Sequence, residues 1–322
     1  MRHYLTRFLQ HLQWERHLSP YTARNYRTDL TPFFQFLESE GVQKLGSVDR
    51  RLLRRYAAWL AKERPVRLGK GLVRHGHEMP SVARKLSVLR SFYRYLVREK
   101  VVDANPVYRL SLPKLQKRIP SFLSKQEMGK LVEAPQTSDL LALRDRALLE
   151  LLYAAGLRVS EIVGLDVNNV DLRSREVRVL GKGSKERVAL MGKPALDALE
   201  RYIRYGREEL LNSRWTQPLF LNRYGGRLSV RSVQNIVRRY ARGKNVSQTV
   251  HPHTIRHSFA THLLDGGADL RVVQALLGHE SLSTTQVYTH MTTAEARKTY
   301  LKAHPRAAKV HPEPEGGPGD AR

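Results

Sequence analysis

Cysteine is absent from the 322-residue chain. A chain without thiols forms no disulfides, offers no thiolate ligands to a metal and has no cysteine nucleophile. This absence is typical of a reducing compartment, and we expect the protein to be cytoplasmic. The sequence also lacks an uninterrupted apolar run of about 18 residues, which predicts no membrane-spanning helix. Its first twenty residues lack the continuous apolar segment of a signal peptide.

Acidic residues are scarce relative to basic ones. The chain has 30 Asp and Glu against 56 Lys and Arg, which gives a formal net charge of +26. Basic side chains that approach phosphates release condensed counterions, and this release favours binding. The charge therefore predicts a polyanionic partner such as nucleic acid. An anionic membrane surface is the alternative, but it requires a basic amphipathic anchor or a lipidation signal, and the sequence shows neither.

The hydrophobic pattern predicts a mainly α-helical protein with a small antiparallel β-sheet, an α+β fold in two domains. Residues 1–103 contain four stretches of helical periodicity and are expected to form an N-terminal helical bundle. Residues 104–120 contain three prolines and no helical period, which indicates an interdomain linker. A second domain is expected over residues 121–304. The Pro- and Gly-rich residues 305–322 predict a disordered tail.

Two segments break the helical pattern. Residues 62–78 combine Gly, Pro and basic residues, which predicts an exposed loop. We favour a solvated insertion there over a phosphate-contacting arm. The stretch EVRVLGKGSKERVAL predicts a β-hairpin, because Val177 and Val179 alternate with other residues before a Gly-rich turn, as Val188 and Leu190 do after it.

The stretch HPHTIRH, residues 251–257, concentrates cationic side chains at a predicted helix start. His253 and Arg256 are three residues apart and share one helical face near the N-terminus, where backbone N–H groups favour an anion. The arginine fork matches a phosphate. The alternatives are histidines that only cap and pack, or a metal site at His253 and His257. The metal hypothesis is disfavoured because no glutamate lies between the histidines to activate water.

Three further stretches carry unusual polar residues. In GLRVSE, Arg158 follows a helix-breaking glycine and Glu161 is placed to orient its guanidinium, although a buried structural ion pair is the alternative. In GKGSKER, Lys182 lies at a hairpin tip, where a solvated lysine is common. In GHESLSTTQVYTH, His279 follows a glycine that ends a helix, and Tyr288 comes nine residues later. A lone tyrosine more often packs than reacts.

Together these stretches supply the groups that phosphoryl transfer requires. Cationic side chains stabilise the charge that develops on the non-bridging oxygens. A hydroxyl group attacks the phosphorus, and the leaving oxygen takes up a proton. Surrounding cations favour the phenolate form of a tyrosine nucleophile, and a covalent phosphotyrosine conserves the energy of the broken bond.

The four motifs, in this order and spacing, resemble the tyrosine recombinase (phage integrase) family and, within it, the Xer recombinases, most closely their XerC branch. The resemblance covers about residues 3–305. It implies a two-domain DNA clamp, with an N-terminal helical core-binding (SAM-like) domain and a C-terminal tyrosine recombinase catalytic domain. It also implies that no metal, nucleotide or other cofactor takes part.

The resemblance implies roles for three phosphate-binding residues. Arg158 and Arg256 match the two arginines that hold the scissile phosphate. His279 matches a second histidine that contacts the same phosphate.

It also implies roles for three residues that move protons or attack. Lys182 matches the general acid for the leaving 5′ oxygen, and His253 matches the proton-transfer partner of the nucleophile. Tyr288 matches the nucleophile, which forms a 3′-phosphotyrosine with the cut strand.

The same resemblance implies a biological role. Proteins of this branch act with a XerD-like recombinase in a heterotetramer at dif sites, under control of the FtsK translocase, and resolve chromosome dimers to monomers before cell division. The alternative is an integrase of a mobile element or a single-recombinase Xer with the same chemistry. A non-catalytic architectural DNA-binding protein is less favoured. Residues 62–78 depart from the shorter turn usual in the family.

Overall fold

The computed structural model describes residues 1–69, 72–108, 110, 122–136, 139–181, 186–211, 216–244, 250–278 and 293–307. The chain divides into two compact units, Met1–Arg118 and Ile119–Arg322. Within the described ranges, most residues are helical and the strands form two small antiparallel sheets. The predicted fold class is confirmed. No helix in these ranges is both long and apolar enough to cross a membrane.

Among its described residues, the N-terminal unit contains four α-helices: α1 (Arg2–Trp14), α2 (Pro20–Ser39), α3 (Arg50–Lys62) and α4 (Met79–Arg98). Local sequence explains where two of them begin. The Ser19 hydroxyl accepts a hydrogen bond from the backbone N–H of Thr22, and Pro20 occupies the first turn of α2. Asp49 caps α3 in the same way. The helices enclose an aromatic core that includes Phe8, Phe33, Phe34, Tyr56, Phe92 and Tyr93.

The insertion at residues 62–78 is more ordered than predicted. It forms an antiparallel hairpin of β1 (Pro65–Gly69) and β2 (Leu72–His75), so the prediction of a loop was wrong for these residues. After β2, Gly76 adopts φ +79°, and a Cβ there would lie 2.0 Å from the carbonyl oxygen of Ala61. Only glycine allows this close return of the chain to α3.

The C-terminal unit contains nine helices among its described residues: α5 (Lys125–Val132), α6 (Leu140–Ala154), α7 (Val159–Gly164), α8 (Lys193–Arg201), α9 (Glu208–Leu211), α10 (Val230–Gly243), α11 (Pro252–Asp265), α12 (Leu270–Leu277) and α13 (Thr293–Ala303). A π-helical turn joins α8 to α9. A capping box begins α5: the Ser124 hydroxyl accepts a hydrogen bond from the backbone N–H of Glu127, and the Glu127 carboxylate accepts one from the backbone N–H of Ser124.

The sheet of this unit has three strands in the order β3 (Val170–Asp171), β4 (Glu176–Leu180) and β5 (Glu186–Leu190). The predicted hairpin of β4 and β5 is confirmed. In β5, however, the residues that face the core are Arg187 and Ala189. They pair with the buried Val179 and Val177, and paired residues share one face of the sheet. Val188 is therefore 39% exposed instead of buried. The alternation rule failed because Arg187 is buried against a charged partner.

A sharp break between α6 and α7 positions the candidate site. Helix α6 is buried along most of its length at the centre of the unit. It ends at Ala154, and Gly156 then adopts φ +56°, as the alanine–glycine step predicted. A Cβ at Gly156 would lie 2.5 Å from the ring of Phe259 in α11, so the turn packs directly on that helix. Arg158 follows this turn and lies at the N-cap of α7.

Packed structure extends past the predicted start of the tail at residue 305. Arg306 and Ala307 are buried, and the Arg306 guanidinium binds Glu133 and Glu150, each at 2.7 Å. These two ion pairs anchor the chain against α5 and α6, so the first residues assigned to the tail belong to the folded unit. The remainder, residues 308–322, lies outside the described residues.

The predicted linker, residues 104–120, is described only at its start. Val107 and Leu110 are buried in the N-terminal core, and their carbonyls accept hydrogen bonds from Arg90 at 3.4 and 3.3 Å. The first part of the segment therefore packs on the N-terminal unit. The rest lies outside the described residues.

Burial of His304 predicts acid lability of the C-terminal unit. The ring lies among Tyr153, Phe259 and Tyr300, and burial lowers the pKa of His304 to about 3. The unfolded chain binds a proton near pH 6.5, so stability that is present above this pH is lost as the pH falls toward 3. The slope for this one residue approaches about 1.4 kcal/mol per pH unit.

We expect His304→Gln to reduce this slope, measured by urea unfolding between pH 7 and 4.5. His251→Gln, at an exposed position of the same unit, should keep the wild-type slope. Equal slopes for His304→Gln and the wild type would show that His304 does not control acid stability.

Candidate active site

One buried carboxylate lies at the centre of the site. Glu161, in the first turn of α7, has a side chain only 3% exposed. Its oxygens lie 2.6 Å from Arg158, 2.8 Å from Arg187 and 3.8 Å from Arg256. The prediction that Glu161 orients the Arg158 guanidinium is confirmed. Three positive charges and one negative charge leave the cluster with a net charge of +2.

The same three arginines bind the C-terminal end of α12. The consecutive carbonyls of residues 276–278 accept hydrogen bonds from Arg187 (3.0 Å), Arg256 (2.6 Å) and Arg158 (3.3 Å), in that order. The last carbonyls of a helix lack intrahelical donors and carry partial negative charge, so cationic donors stabilise them. Gly278 ends the helix with φ +64°, as the sequence predicted. The cluster therefore ties α7, β5 and α11 to the end of α12.

Within the described part of the chain, both arginines of the predicted phosphate site keep N–H donors that no protein group uses. Arg256 uses one N–H group on the Gly156 carbonyl (2.6 Å) and one on the end of α12. Arg158 uses one N–H group of its guanidinium on Glu161 and one on the Gly278 carbonyl. Because a guanidinium has five N–H donors, about three on each bind no described protein group and can serve another acceptor. Two cationic forks that are held in place and only partly used are suited to an oxyanion.

The charged neighbours change the proton affinity of Arg256. Burial, together with the positive charges of Arg158 and Arg187, lowers the pKa of Arg256 to about 10, and the negative charge of Glu161 opposes this shift. Arg256 remains protonated at neutral pH. A buried cation beside two others creates a positive potential that favours a bound anion.

The structure places three of the six predicted site residues. Arg158 and Arg256 come together, although 98 positions separate them in the chain. His253 lies in the first turn of α11, three residues before Arg256, and is exposed. Lys182, His279 and Tyr288 lie outside the described residues. In the sequence, His279 directly follows Gly278, whose carbonyl binds Arg158.

Sequence reasoning missed Arg187 as a member of the cluster. Its motif, GKGSKER, was recognised for Lys182, and the phase of β5 was assigned from Val188. Pairing Val179 with Arg187 across the predicted hairpin would have placed the arginine on the inner face.

A metal site receives no support from the described residues. Within the ranges that the structure describes, no group of three His, Asp or Glu residues is arranged to hold a metal ion. His257 instead makes an edge contact with Phe122, with ring centroids 6.3 Å apart. The arrangement around Glu161 is suited to anion chemistry.

Comparison with known families agrees with this geometry. Residues 121–295 match the phage integrase family, and residues 5–100 match the N-terminal SAM-like domain of phage integrases. The chain is 44% identical over 317 residues to tyrosine recombinase XerC of Pelotomaculum thermopropionicum, covering 94% of this chain and 98% of the relative. It is 43% identical over 302 residues to tyrosine recombinase XerD of Pseudomonas putida, covering 94% and 97%.

Solved structures show the same fold. A λ integrase dimer bound to a COC′ core site matches with a TM-score of 0.63 and 17% identity, covering 91% of this chain and 99% of that chain. XerH bound to a difH substrate matches with a TM-score of 0.62 and 21% identity, covering 91% and 82%. On its sequence matches, the chain belongs to the phage integrase family, in the Xer subfamily of tyrosine recombinases, and is a site-specific DNA recombinase.

Proposed function

We propose that Arg158 and Arg256 hold the scissile phosphate of duplex DNA and that Tyr288 attacks it. The observation that carries the proposal is the cluster around Glu161. There, two guanidinium groups from different helices are held together and keep N–H groups that no described residue binds. Its net positive charge is complementary to a phosphodiester that gains a second negative charge as the phenolic oxygen adds. Donors fixed before the reaction need no reorganisation in the transition state.

The remaining roles complete a balanced transesterification. The Tyr288 oxygen forms a bond to phosphorus, His253 accepts the phenolic proton, and His279 contacts a non-bridging oxygen. The bond from phosphorus to the 5′ oxygen breaks, and Lys182 protonates that oxygen. The product is a 3′-phosphotyrosine and a free 5′ hydroxyl. Attack by a 5′ hydroxyl of a partner duplex reverses the step and joins the strands, with no metal or cofactor consumed.

The cellular role proposed is that of a XerC-like recombinase. The chain would act in the cytoplasm with a XerD-like partner in a heterotetramer at dif sites, regulated by FtsK, to resolve chromosome dimers before division. Similarity to XerC and XerD proteins over nearly the whole chain supports this role. The net charge of +26 supports binding along the DNA backbone. Integration of a mobile element by the same chemistry is the second candidate.

The proposed domains have separate functions. Residues 1–103 would bind the core DNA site, 104–120 would link the domains, and 121–304 would carry the catalytic residues. The packing of Arg306 and Ala307 extends the folded part of the catalytic domain to residue 307.

Tyr288→Phe should bind DNA but form no covalent adduct, because the phenylalanine ring lacks the attacking oxygen. Incubation with a nicked suicide dif duplex followed by a denaturing gel measures the adduct. Tyr205→Phe, at an exposed position of the C-terminal unit, is the matched control and should form it normally. An adduct that persists with Phe at position 288 would remove Tyr288 from this role.

Arg158→Ala and Arg256→Ala should each lower the rate of adduct formation at saturating DNA by about 10²- to 10³-fold, since each removes a preorganised cationic donor. Arg256→Lys keeps the charge but loses the fork, so its rate should lie between those of the wild type and Arg256→Ala. Arg227→Ala controls for loss of an ion pair elsewhere in the unit, because Arg227 pairs with Asp166. Wild-type rates in both alanine variants would contradict the phosphate-binding role.

The partner requirement is tested with two recombinases. Recombination between two dif duplexes should require both this protein and a XerD-like protein, because each contributes one pair of subunits to the proposed heterotetramer. Complete recombination by this protein alone would favour the single-recombinase or mobile-element alternative.

A further inference from the structure

Arg187 has no role in the proposed reaction, yet it is built into the cluster. It lies on the inner face of β5, and its side chain is only 13% exposed. One guanidinium nitrogen donates to Glu161 at 2.8 Å and another to the carbonyl of Leu276 at 3.0 Å. Its aliphatic stem lies against Gly278, where a Cβ would come within 2.7 Å of the Arg187 Cδ atom. The side chain therefore touches both the acid and the end of α12.

The charge count shows what Arg187 contributes. Among the residues that the structure describes, Glu161 is the carboxylate that pairs with all three arginines of the cluster. With Arg187 present, its charge is shared among three guanidinium groups, and +2 remains. Without Arg187, the carboxylate would neutralise half of the charge that Arg158 and Arg256 present to the phosphate. The low exposure of the group strengthens this effect, because charges separated from water are screened less.

Arg187 also helps to fix the C-terminal end of α12. Arg187 binds the carbonyl of residue 276, next to the carbonyls that Arg256 and Arg158 bind. The end of α12 is thus fixed by three adjacent contacts. Only Gly278 separates this helix from His279 in the sequence. The chain is therefore fixed by hydrogen bonds directly before the histidine that is proposed to contact the phosphate.

We infer that Arg187 is a positioning residue for strand cleavage: by pairing with Glu161 it leaves the charge of Arg158 and Arg256 available to the scissile phosphate, and by binding Leu276 it fixes the end of α12. This inference rests on the proposed function of the Arg158–Arg256 pair. Arg187 acts through these neighbours and does not contact the DNA.

The test measures adduct formation on the nicked duplex at saturating DNA, together with DNA affinity. Arg187→Met keeps the stem over Gly278 and removes the charge, and it should slow the adduct by about 10- to 100-fold, less than the loss of a direct cationic donor. DNA affinity should stay close to that of the wild type. Adding Glu161→Gln to Arg187→Met restores the net charge of +2 from Arg158 and Arg256 and should recover the rate by about tenfold.

Arg227→Met is the matched control. Arg227 also donates to a carboxylate and to backbone carbonyls, those at the end of α7, and its side chain is 38% exposed. The wild-type adduct rate is expected for this variant. An equal loss of rate in Arg227→Met and Arg187→Met would show that losing any arginine with such structural contacts slows the reaction. That result would overturn the inference.

The double variant Arg187→Met with Glu161→Gln distinguishes a role of Arg187 in charge balance from a role in holding the fold. If Arg187 only held the fold, losing Glu161 as well would make the double variant slower than either single variant. That result would overturn the inference, as would a loss of DNA affinity with an unchanged rate at saturation, which would indicate a direct DNA contact. If Arg187→Met fails to fold, Arg187→Lys decides: it keeps the charge and should stay within about tenfold of the wild type, whereas a 100-fold loss contradicts the inference.

Failure of the proposed function gives a different result. In that case the wild-type protein itself forms no adduct at Tyr288. A normal wild-type adduct combined with an unaffected Arg187→Met variant would overturn only the role of Arg187.

Discussion

The shared ion cluster at Glu161 is the constraint on which the site depends. A buried carboxylate is costly unless it is paired, and here it is paired by arginines from three different elements of the C-terminal unit. Removing Glu161 would leave three neighbouring guanidinium groups with no carboxylate between them. The pairing therefore specifies where α7, β5 and α11 meet, and it brings together the two arginines of the proposed phosphate site. In the proposed function, the contacts that hold these elements together also position the arginines for the reaction.

Two glycines make this convergence possible. Gly156 turns the chain between α6 and α7 over the ring of Phe259, and its carbonyl accepts a hydrogen bond from Arg256. Gly278 ends α12 in the left-handed region, and the stem of Arg187 occupies the space that a Cβ would fill. Each glycine combines an unusual φ with a close approach, so any other residue would meet both strain and a steric clash. The arginines reach their partners because the backbone can come this near.

Local signals in the sequence predicted local structure well. The break before Arg158 follows from a helix-breaking glycine, and the end of α12 follows from Gly278. Contacts between distant segments were harder to predict. The hairpin within residues 62–78 depends on its return to α3, and the inward face of Arg187 depends on a carboxylate in another element. The family resemblance pointed to the two arginines proposed to bind the phosphate, but the carboxylate shared among three guanidinium groups emerges only in three dimensions.

A crystal structure of the Tyr288→Phe protein bound to its duplex site tests the central claim most directly. The account predicts that the non-bridging oxygens of one phosphate lie about 3 Å from guanidinium nitrogens of both Arg158 and Arg256, with Glu161 still paired behind them. Arginines that remain bound only to protein groups, with every phosphate more than about 4 Å away, would contradict it.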